Sequence, residues 1–175
     1  MKIRRVTLCA LFAALLAVFS PLTIPAGPIP VTLAVFFVFL TGLLLGPVDG
    51  MIAVAVYVAL GALGLPVFSG FRGGYSVLLG PTGGFLLGYF PCVFLSGLGK
   101  TRRRFRPVFL LFGLFSCYLF GVVWFGVFFG GGLSYILSVC VLPFLLPDSL
   151  KLIAACLFAP PIESALSRIR SDKKS

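Results

Sequence analysis

Apolar positions in this chain form long unbroken runs instead of alternating with polar ones. Residues 6–48, 73–99 and 107–147 contain no Asp, Glu, Lys or Arg. Each of these runs exceeds the roughly 20 residues that a helix needs to cross a bilayer. Hydrophobic residues make up 60% of the 175 positions and charged residues 10%, so a water-soluble domain could not cover its surface with polar groups. The pattern predicts an all-α integral membrane protein.

Proline and glycine clusters divide the apolar runs into shorter segments. They predict one membrane domain over 1–175 with six transmembrane helices, at about 6–24, 31–46, 51–64, 83–99, 107–129 and 149–166. The second and third segments are short, so their ends need shielding by neighbouring protein. The first segment follows three basic residues, as a secretory signal does, but it is interpreted as a retained span because no soluble domain follows it.

The basic residues predict the topology. Twelve of the fourteen Lys and Arg residues fall in 2–5, 100–106 and 168–174. Because such residues cluster on the cytoplasmic side of membranes, an even number of spans must separate any two of these groups. Both termini are therefore predicted to be cytoplasmic, and Gly70 and Gly131 external. By the same argument, 133–147 is predicted to be an outer or re-entrant loop buried in protein.

Composition and motifs argue against several function classes. The net charge of +10 lies at the ends of apolar segments, which favours topology signals over nucleic-acid binding. The chain has no histidine, and its five cysteines are scattered without metal-ligand spacing. Residues 97–101 end like a phosphate-binding loop, but Phe94 stands where that motif needs a glycine. We therefore predict no catalytic residues, no metal site and no cofactor.

Asp148 and Lys151 are the strongest binding-site candidates. They follow Pro147 at the predicted start of the last span, and their spacing of three residues puts them on one helical face. An ionisable residue within a span is costly and usually faces an interior cavity. A binding role is therefore favoured over the alternative, in which Asp148 is a helix N-cap that pairs with Lys151. Glu163, near the other end of that span, is interpreted as peripheral.

A long glycine-rich loop after the third span is the second candidate. It combines aromatic residues with Arg72, a set that could hold an anionic organic molecule, although a surface loop with a solvated arginine explains it equally well. The candidate binding residues in and after this loop are Phe68, Arg72, Gly73, Gly74, Tyr75 and Thr82.

Small residues at helical spacing predict close contacts between helices. The pairs Gly42/Gly46 and Gly84/Gly88 are interpreted as packing positions inside the bundle. The first span carries a similar stripe made of Ala10, Ala13, Ala14 and Ala17. Packing inside the bundle is one interpretation of this stripe, and contact with a second membrane protein is the other.

Four strings, in order along the chain, resemble the BioY family of biotin transporters. They are Gly-Leu-Leu-Leu-Gly-Pro (42–47), Gly-Ala-Leu-Gly-Leu-Pro-Val-Phe (61–68), Leu-Gly-Pro-Thr-Gly-Gly-Phe (79–85) and Asp-Ser-Leu-Lys (148–151). Proteins of that family are the substrate-binding S components of energy-coupling factor (ECF) transporters. The resemblance covers nearly the whole chain and implies six helices, an N-terminus inside the cell and a vitamin pocket open to the outside.

The resemblance also implies roles for individual residues. Asp148 and Lys151 match the family's Asp-x-x-Lys element, which is associated with biotin binding, and 70–75 matches the segment that covers the pocket. The family usually has small residues where this chain has Phe71 and Arg72. The small residues that resemble the family's docking face for the transmembrane coupling protein are Ala10, Ala13, Ala14 and Ala17.

The expected function is biotin uptake by a multi-pass S component in the prokaryotic cell (inner) membrane. Its expected partners are biotin, membrane lipids, a coupling protein and two ATPase subunits, with no nucleic acid. One alternative is an S component or solitary transporter for another carboxylated vitamin such as lipoate. A small membrane enzyme and a purely structural membrane partner are the others, and the sequence leaves open whether the chain forms a homodimer.

Overall fold

The protein folds into a bundle of helices, described here from a computed structural model that covers residues 2–25 and 28–171. The α-helices are α1 (Lys2–Phe19), α2 (Ala34–Leu45), α3 (Pro47–Ala62), α4 (Tyr75–Leu78), α5 (Gly83–Leu98), α6 (Arg106–Phe129), α7 (Leu133–Cys140) and α8 (Leu142–Ser171). A short 3-10 helix, Arg103–Phe105, precedes α6. Strands β1 (Thr23–Ile24) and β2 (Val31–Thr32) form an antiparallel pair between α1 and α2, which the sequence did not predict.

Helices α1, α2, α3, α5, α6 and α8 overlap the six segments predicted from the sequence. By length and composition, the helical segments Arg103–Phe129 and Leu133–Leu166 could cross a bilayer. Three further apolar helices, Ala34–Leu45, Pro47–Ala62 and Gly83–Leu98, are shorter. The predicted largely helical character of the chain is therefore confirmed.

The segment 133–147 is helical, so its prediction as a loop was wrong. It forms α7 and the first part of α8, which begins at Leu142 and continues through Pro147. Most of its side chains are exposed, and the buried ones recur every four residues, at Ile136, Cys140 and Phe144. This helical periodicity continues to Asp148. The packing of these buried side chains outweighs the loss of one backbone hydrogen bond at Pro147.

Helix α5 lies at the centre of the bundle and packs against α2, α3 and α6. Close approach there depends on glycines, as the sequence predicted. A Cβ atom on Gly42 would lie 2.6 Å from the carbonyl oxygen of Val93, and one on Gly84 would lie 2.4 Å from Cβ of Trp124. Both distances are shorter than real carbon contacts, so larger residues would push α5 away from its neighbours.

The bundle has two chemically different ends. Arg4 and Ser20 mark opposite ends of α1, about 24 Å apart at 1.5 Å per residue. Asp148 and Glu163 are separated by nearly the same length along α8. We call the end with Ser20 and Asp148 the cavity end, and the end with Arg4, Lys100 and Glu163 the basic end.

Glu163 is not peripheral, which corrects the interpretation made from the sequence. Its carboxylate accepts a hydrogen bond at 2.5 Å from Nη2 of Arg106, whose side chain is buried, and it lies 3.0 Å from Nη2 of Arg103. The ion pairs fasten α8 to the start of α6 at the basic end. The largely buried Glu163 carboxylate needs such partners because an unpaired buried charge is strongly destabilising.

Candidate functional site

A small cavity at the cavity end is the candidate binding site. Its wall is formed by residues from the connection between α1 and α2, from the loop after α3, and from α2, α5, α6 and α8. Its volume is about 40 Å³, which is room for only a few waters.

Asp148 and Lys151 form the charged centre of this cavity. Asp148 is 1% exposed. Its Oδ1 accepts a hydrogen bond from Nζ of Lys151 at 2.6 Å, and its Oδ2 accepts one from the hydroxyl of Tyr118 at 2.9 Å. The prediction that these two residues share a helical face is confirmed. The alternative role of Asp148 as an N-cap was wrong, because α8 begins at Leu142 and Asp148 lies within it.

The polar cluster retains capacity to bind a further group. A carboxylate can accept about four hydrogen bonds and an ammonium can donate three, so the contacts of Asp148 and Lys151 with each other and with Tyr118 leave some of that capacity unused. The ion pair has no net charge, which lowers the cost of burying it. An uncharged polar ligand group that carries both a donor and an acceptor would match this centre.

Aromatic side chains form about half of the apolar wall. Phe68 is fully buried and contacts Tyr57 edge to face, with ring centroids 5.6 Å apart. Phe85 and Phe144 face each other at 5.9 Å. The hydroxyl groups near them are satisfied within the protein, since Ser20 and Tyr57 hydrogen-bond at 2.6 Å. The site thus combines one polar cluster with an aromatic interior, as small-molecule pockets usually do.

Four of the predicted binding residues line the cavity, namely Phe68, Thr82, Asp148 and Lys151. The other four are not among the lining residues: Arg72, Gly73 and Gly74 lie in the loop, and Tyr75 begins α4. Nε of Arg72 donates to the carbonyl oxygen of Ser69 at 3.2 Å, and Tyr75 is 68% exposed.

Gly73 and Gly74, the two glycines of this loop that were predicted to bind, have structural roles. A Cβ on Gly73 would lie 2.2 Å from the carbonyl oxygen of Leu65. The backbone N–H of Gly74 donates to the carbonyl oxygen of Gly61 at 2.7 Å, which ties the loop to the end of α3. The ring of Phe68 packs against Gly61 in the same region, since a Cβ there would lie 2.1 Å from its Cζ.

Several lining residues were not predicted from the sequence. They are Ser20, Ile29, Pro30, Thr32, Val35, Ser69, Phe85, Leu86, Tyr89, Cys117, Tyr118 and Phe144. Tyr118 carried a usable signal, because a hydroxyl within the apolar run 107–129 needs a partner inside the protein. The others come together only through the tertiary fold.

The alanine stripe of α1 is divided between two faces. Ala10 and Ala14 are exposed, whereas Ala13 is 1% exposed and Ala17 packs against the core. Ala13 therefore belongs to the interior of the bundle and not to a docking face, which corrects that part of the prediction. Ala10 and Ala14 remain on an exposed face with Thr7 and Val18.

Comparisons with known proteins agree with this architecture. The BioY family profile matches residues 1–168. The chain is 43% identical over 163 residues to the probable biotin transporter BioY of Pyrococcus horikoshii, covering 93% of this chain and 98% of that protein. It is 42% identical over 159 residues to the biotin transporter BioY of Thermotoga maritima, covering 89% and 94% respectively.

A solved structure supports the same assignment. The fold matches the crystal structure of the S-component for biotin from an ECF-type ABC transporter with a TM-score of 0.85 and 27% sequence identity, over 93% of this chain and 92% of that one. These matches define the class of the protein, a membrane transporter and not an enzyme. The chain belongs to the BioY family.

Proposed function

We propose that this protein is the biotin-binding S component of an ECF-type transporter and takes up biotin across the prokaryotic cell (inner) membrane. The observation that carries the proposal is the buried cluster of Asp148, Lys151 and Tyr118 inside an aromatic cavity. An ion pair kept within a membrane helix is costly and marks a functional site. The named relatives are biotin transporters, which agrees with this chemistry.

The chemistry of biotin suits the cluster. Its ureido group presents N–H donors beside a carbonyl acceptor, and Asp148 and Lys151 offer a matching acceptor and donor next to each other. Its bicyclic body is apolar and fits an interior lined by Phe68, Phe85 and Phe144. Because the cavity has little free volume, the loop that carries Phe68 must shift outward when biotin enters.

The proposed topology has six spans, both termini in the cytoplasm and the cavity end facing outside. It is supported by the basic end, where the cytoplasmic signal residues Arg4, Lys100 and Arg103 gather. The short helices α2, α3 and α5 are packed against one another, so neighbouring helices shield their ends from lipid.

The proposed partners are a transmembrane coupling protein and two ATPase subunits. The related S-component belongs to an ECF-type ABC transporter, and the present sequence has no complete phosphate-binding loop. Ala10 and Ala14 supply an exposed small-residue face on α1 for the coupling protein. A homodimer is the alternative assembly for a chain that works without such a module.

Equilibrium binding of labelled biotin to the purified protein in detergent, without nucleotide, tests the proposal. We expect saturable binding that unlabelled biotin displaces and lipoate does not, because lipoate lacks the ureido group that the Asp148–Lys151 pair would recognise. Displacement by lipoate at concentrations equal to biotin would favour the alternative of another carboxylated vitamin. A lack of saturable biotin binding by folded protein would reject the proposed ligand.

A further inference from the structure

A second, larger cavity lies at the basic end. It is an open cleft of about 630 Å³. Its lining residues are Arg4, Arg5, Leu8, Leu44, Leu45, Asp49, Lys100, Arg103, Glu163 and Leu166. They come from both ends of the sequence and from its middle, so only the folded bundle assembles this cleft.

The cleft has an excess of positive charge. Four of its lining residues are cationic and two are acidic. Both carboxylates already have cationic partners, because Asp49 is paired with Arg5, and Glu163 is bridged by Arg103 and by the buried Arg106. The field inside the cleft therefore attracts an anion.

Its other lining residues are apolar. Leu8, Leu44, Leu45 and Leu166 place hydrocarbon surface next to the cationic groups. A small hydrated anion would gain little from such a wall, whereas an amphiphile with a phosphate and an acyl chain would use both parts. We propose that this cleft binds the phosphate group of an anionic membrane phospholipid.

The lipid site is independent of the proposed biotin site. The two cavities lie at opposite ends of α1 and α8, about 20–25 Å apart by helical rise, and have no lining residue in common. The proposed topology enters only in assigning the lipid to the cytoplasmic leaflet, where anionic lipids attract Lys and Arg. Failure of the biotin proposal would leave the lipid proposal standing, and the reverse also holds.

Native mass spectrometry of the purified protein tests the proposal on the unaltered chain. The protein is titrated with phosphatidylglycerol or with phosphatidylcholine of the same acyl composition. We expect phosphatidylglycerol adducts to form at severalfold lower concentration, and millimolar inorganic phosphate not to displace them. Equal binding of the two lipids would overturn the proposal, and displacement by inorganic phosphate would assign the cleft to a free anion instead.

Matched charge variants locate the binding. Arg4→Gln/Lys100→Gln removes two cations from the cleft and keeps a hydrogen-bond donor at each position. Arg102→Gln/Arg104→Gln removes the same charge from exposed residues that do not line it. We expect phosphatidylglycerol binding to weaken about 25-fold in the first variant, since each cation contributes about fivefold to the affinity. In the second variant we expect it to stay within about twofold of the unaltered chain.

An equal loss of phosphatidylglycerol binding in both variants would show that the lipid is attracted diffusely to the basic end, and it would overturn the proposal of a site in the cleft. The thermal unfolding midpoint serves as the folding control for each variant, since it does not depend on the biotin proposal. If the cleft variant does not fold, the lipid comparison and phosphate competition on the unaltered chain decide the question. Absence of lipid preference combined with lost assembly with the coupling protein would assign the cleft to a protein partner and would also overturn the proposal.

Discussion

Asp148 is the residue whose environment most constrains the function of this protein. It is almost fully buried in α8, and its two carboxylate oxygens contact different partners, Lys151 and Tyr118. Because these partners come from α8 and α6, the cluster joins two helices at the cavity end. Removal of one member leaves the others without a full set of hydrogen bonds.

The first prediction concerns Asp148→Asn and Lys151→Ala. Each change removes one charge from the buried pair, so we expect biotin affinity to fall by about 2–4 kcal/mol, or roughly 30- to 1000-fold in dissociation constant. Equilibrium binding of labelled biotin measures this loss, and Asp148→Asn is the more informative change because it preserves size. Ser149→Ala is the matched control, since Ser149 is an exposed neighbour that donates to the carbonyl oxygen of Leu145.

A purely structural ion pair predicts a different result. In that case both variants would lower the thermal unfolding midpoint while the folded fraction bound biotin with unchanged affinity. Folded Asp148→Asn and Lys151→Ala proteins that bind like the parent would place the biotin site elsewhere.

The charged part of the site could be predicted from the sequence because it is local. Asp148 and Lys151 are three residues apart, and charge within an apolar segment is rare. Tyr118 is 30 residues away from Asp148, and its proximity depends on how α6 packs against α8. Arg72 was selected for its charge, but its position depends on the backbone path of the loop, which residue types do not specify.

In helix α1, too, the sequence predicts the local spacing of residues but not which of them pack against the rest of the bundle. Its alanines have spacings that predict a small-residue stripe. The spacing does not specify which side faces the bundle, and Ala13 lies in the core whereas Ala10 and Ala14 are exposed. The exposed pair lies toward the middle of the helix, where a helix of another protein could approach closely.

The second prediction tests this face with Ala14→Trp. A bulky side chain there should prevent close approach of the coupling protein, so we expect complex assembly and biotin uptake to fall at least about tenfold while biotin binding by the isolated protein stays near normal. Co-purification with the coupling protein and uptake by cells are the measurements. Ala55→Trp, on an exposed position of α3, is the matched control.

Ala13→Trp should behave differently, because overpacking a buried position destabilises the bundle by about 1–3 kcal/mol or more. If Ala14→Trp also lost folding or biotin binding, its face would pack within the protein. Normal assembly in that variant would place the coupling protein on another surface.

The segment 133–147 shows why element boundaries were harder to predict than element types. Pro147 and the glycines before Leu133 are strong breakers, and the charge pattern excluded a crossing. The tertiary contacts of Ile136, Cys140 and Phe144 nevertheless hold this segment as helix. Because of this packing, α8 begins at Leu142, seven residues before the predicted start at about 149.

Across the whole molecule, charge and cavity type are separated along the bundle axis. The basic end holds a wide cationic cleft, and the cavity end holds a small aromatic cavity with a neutral ion pair. We expect this asymmetry to orient the bundle with its basic end in the cytoplasm, because Lys and Arg favour that side of a membrane. The positions of Lys and Arg along the sequence predict that orientation, whereas the two cavities depend on how the helices converge.

The last prediction concerns this direction and uses single cysteines labelled with a membrane-impermeant maleimide in intact cells. Gly70 and Gly131 have positive φ values, so neighbouring positions are better labelling sites. We expect Leu63→Cys and Gly132→Cys to react from outside, because both lie at the ends of helices opposite the basic groups, and Arg104→Cys to react only after permeabilisation. The unaltered chain is the background control, since its cysteines are buried or half-buried. A reporter fused after the last residue should be cytoplasmic. An external reporter would mean that 133–147 crosses the membrane separately, so that α7 and α8 are two spans. It would also reject the argument that an even number of spans separates the basic groups.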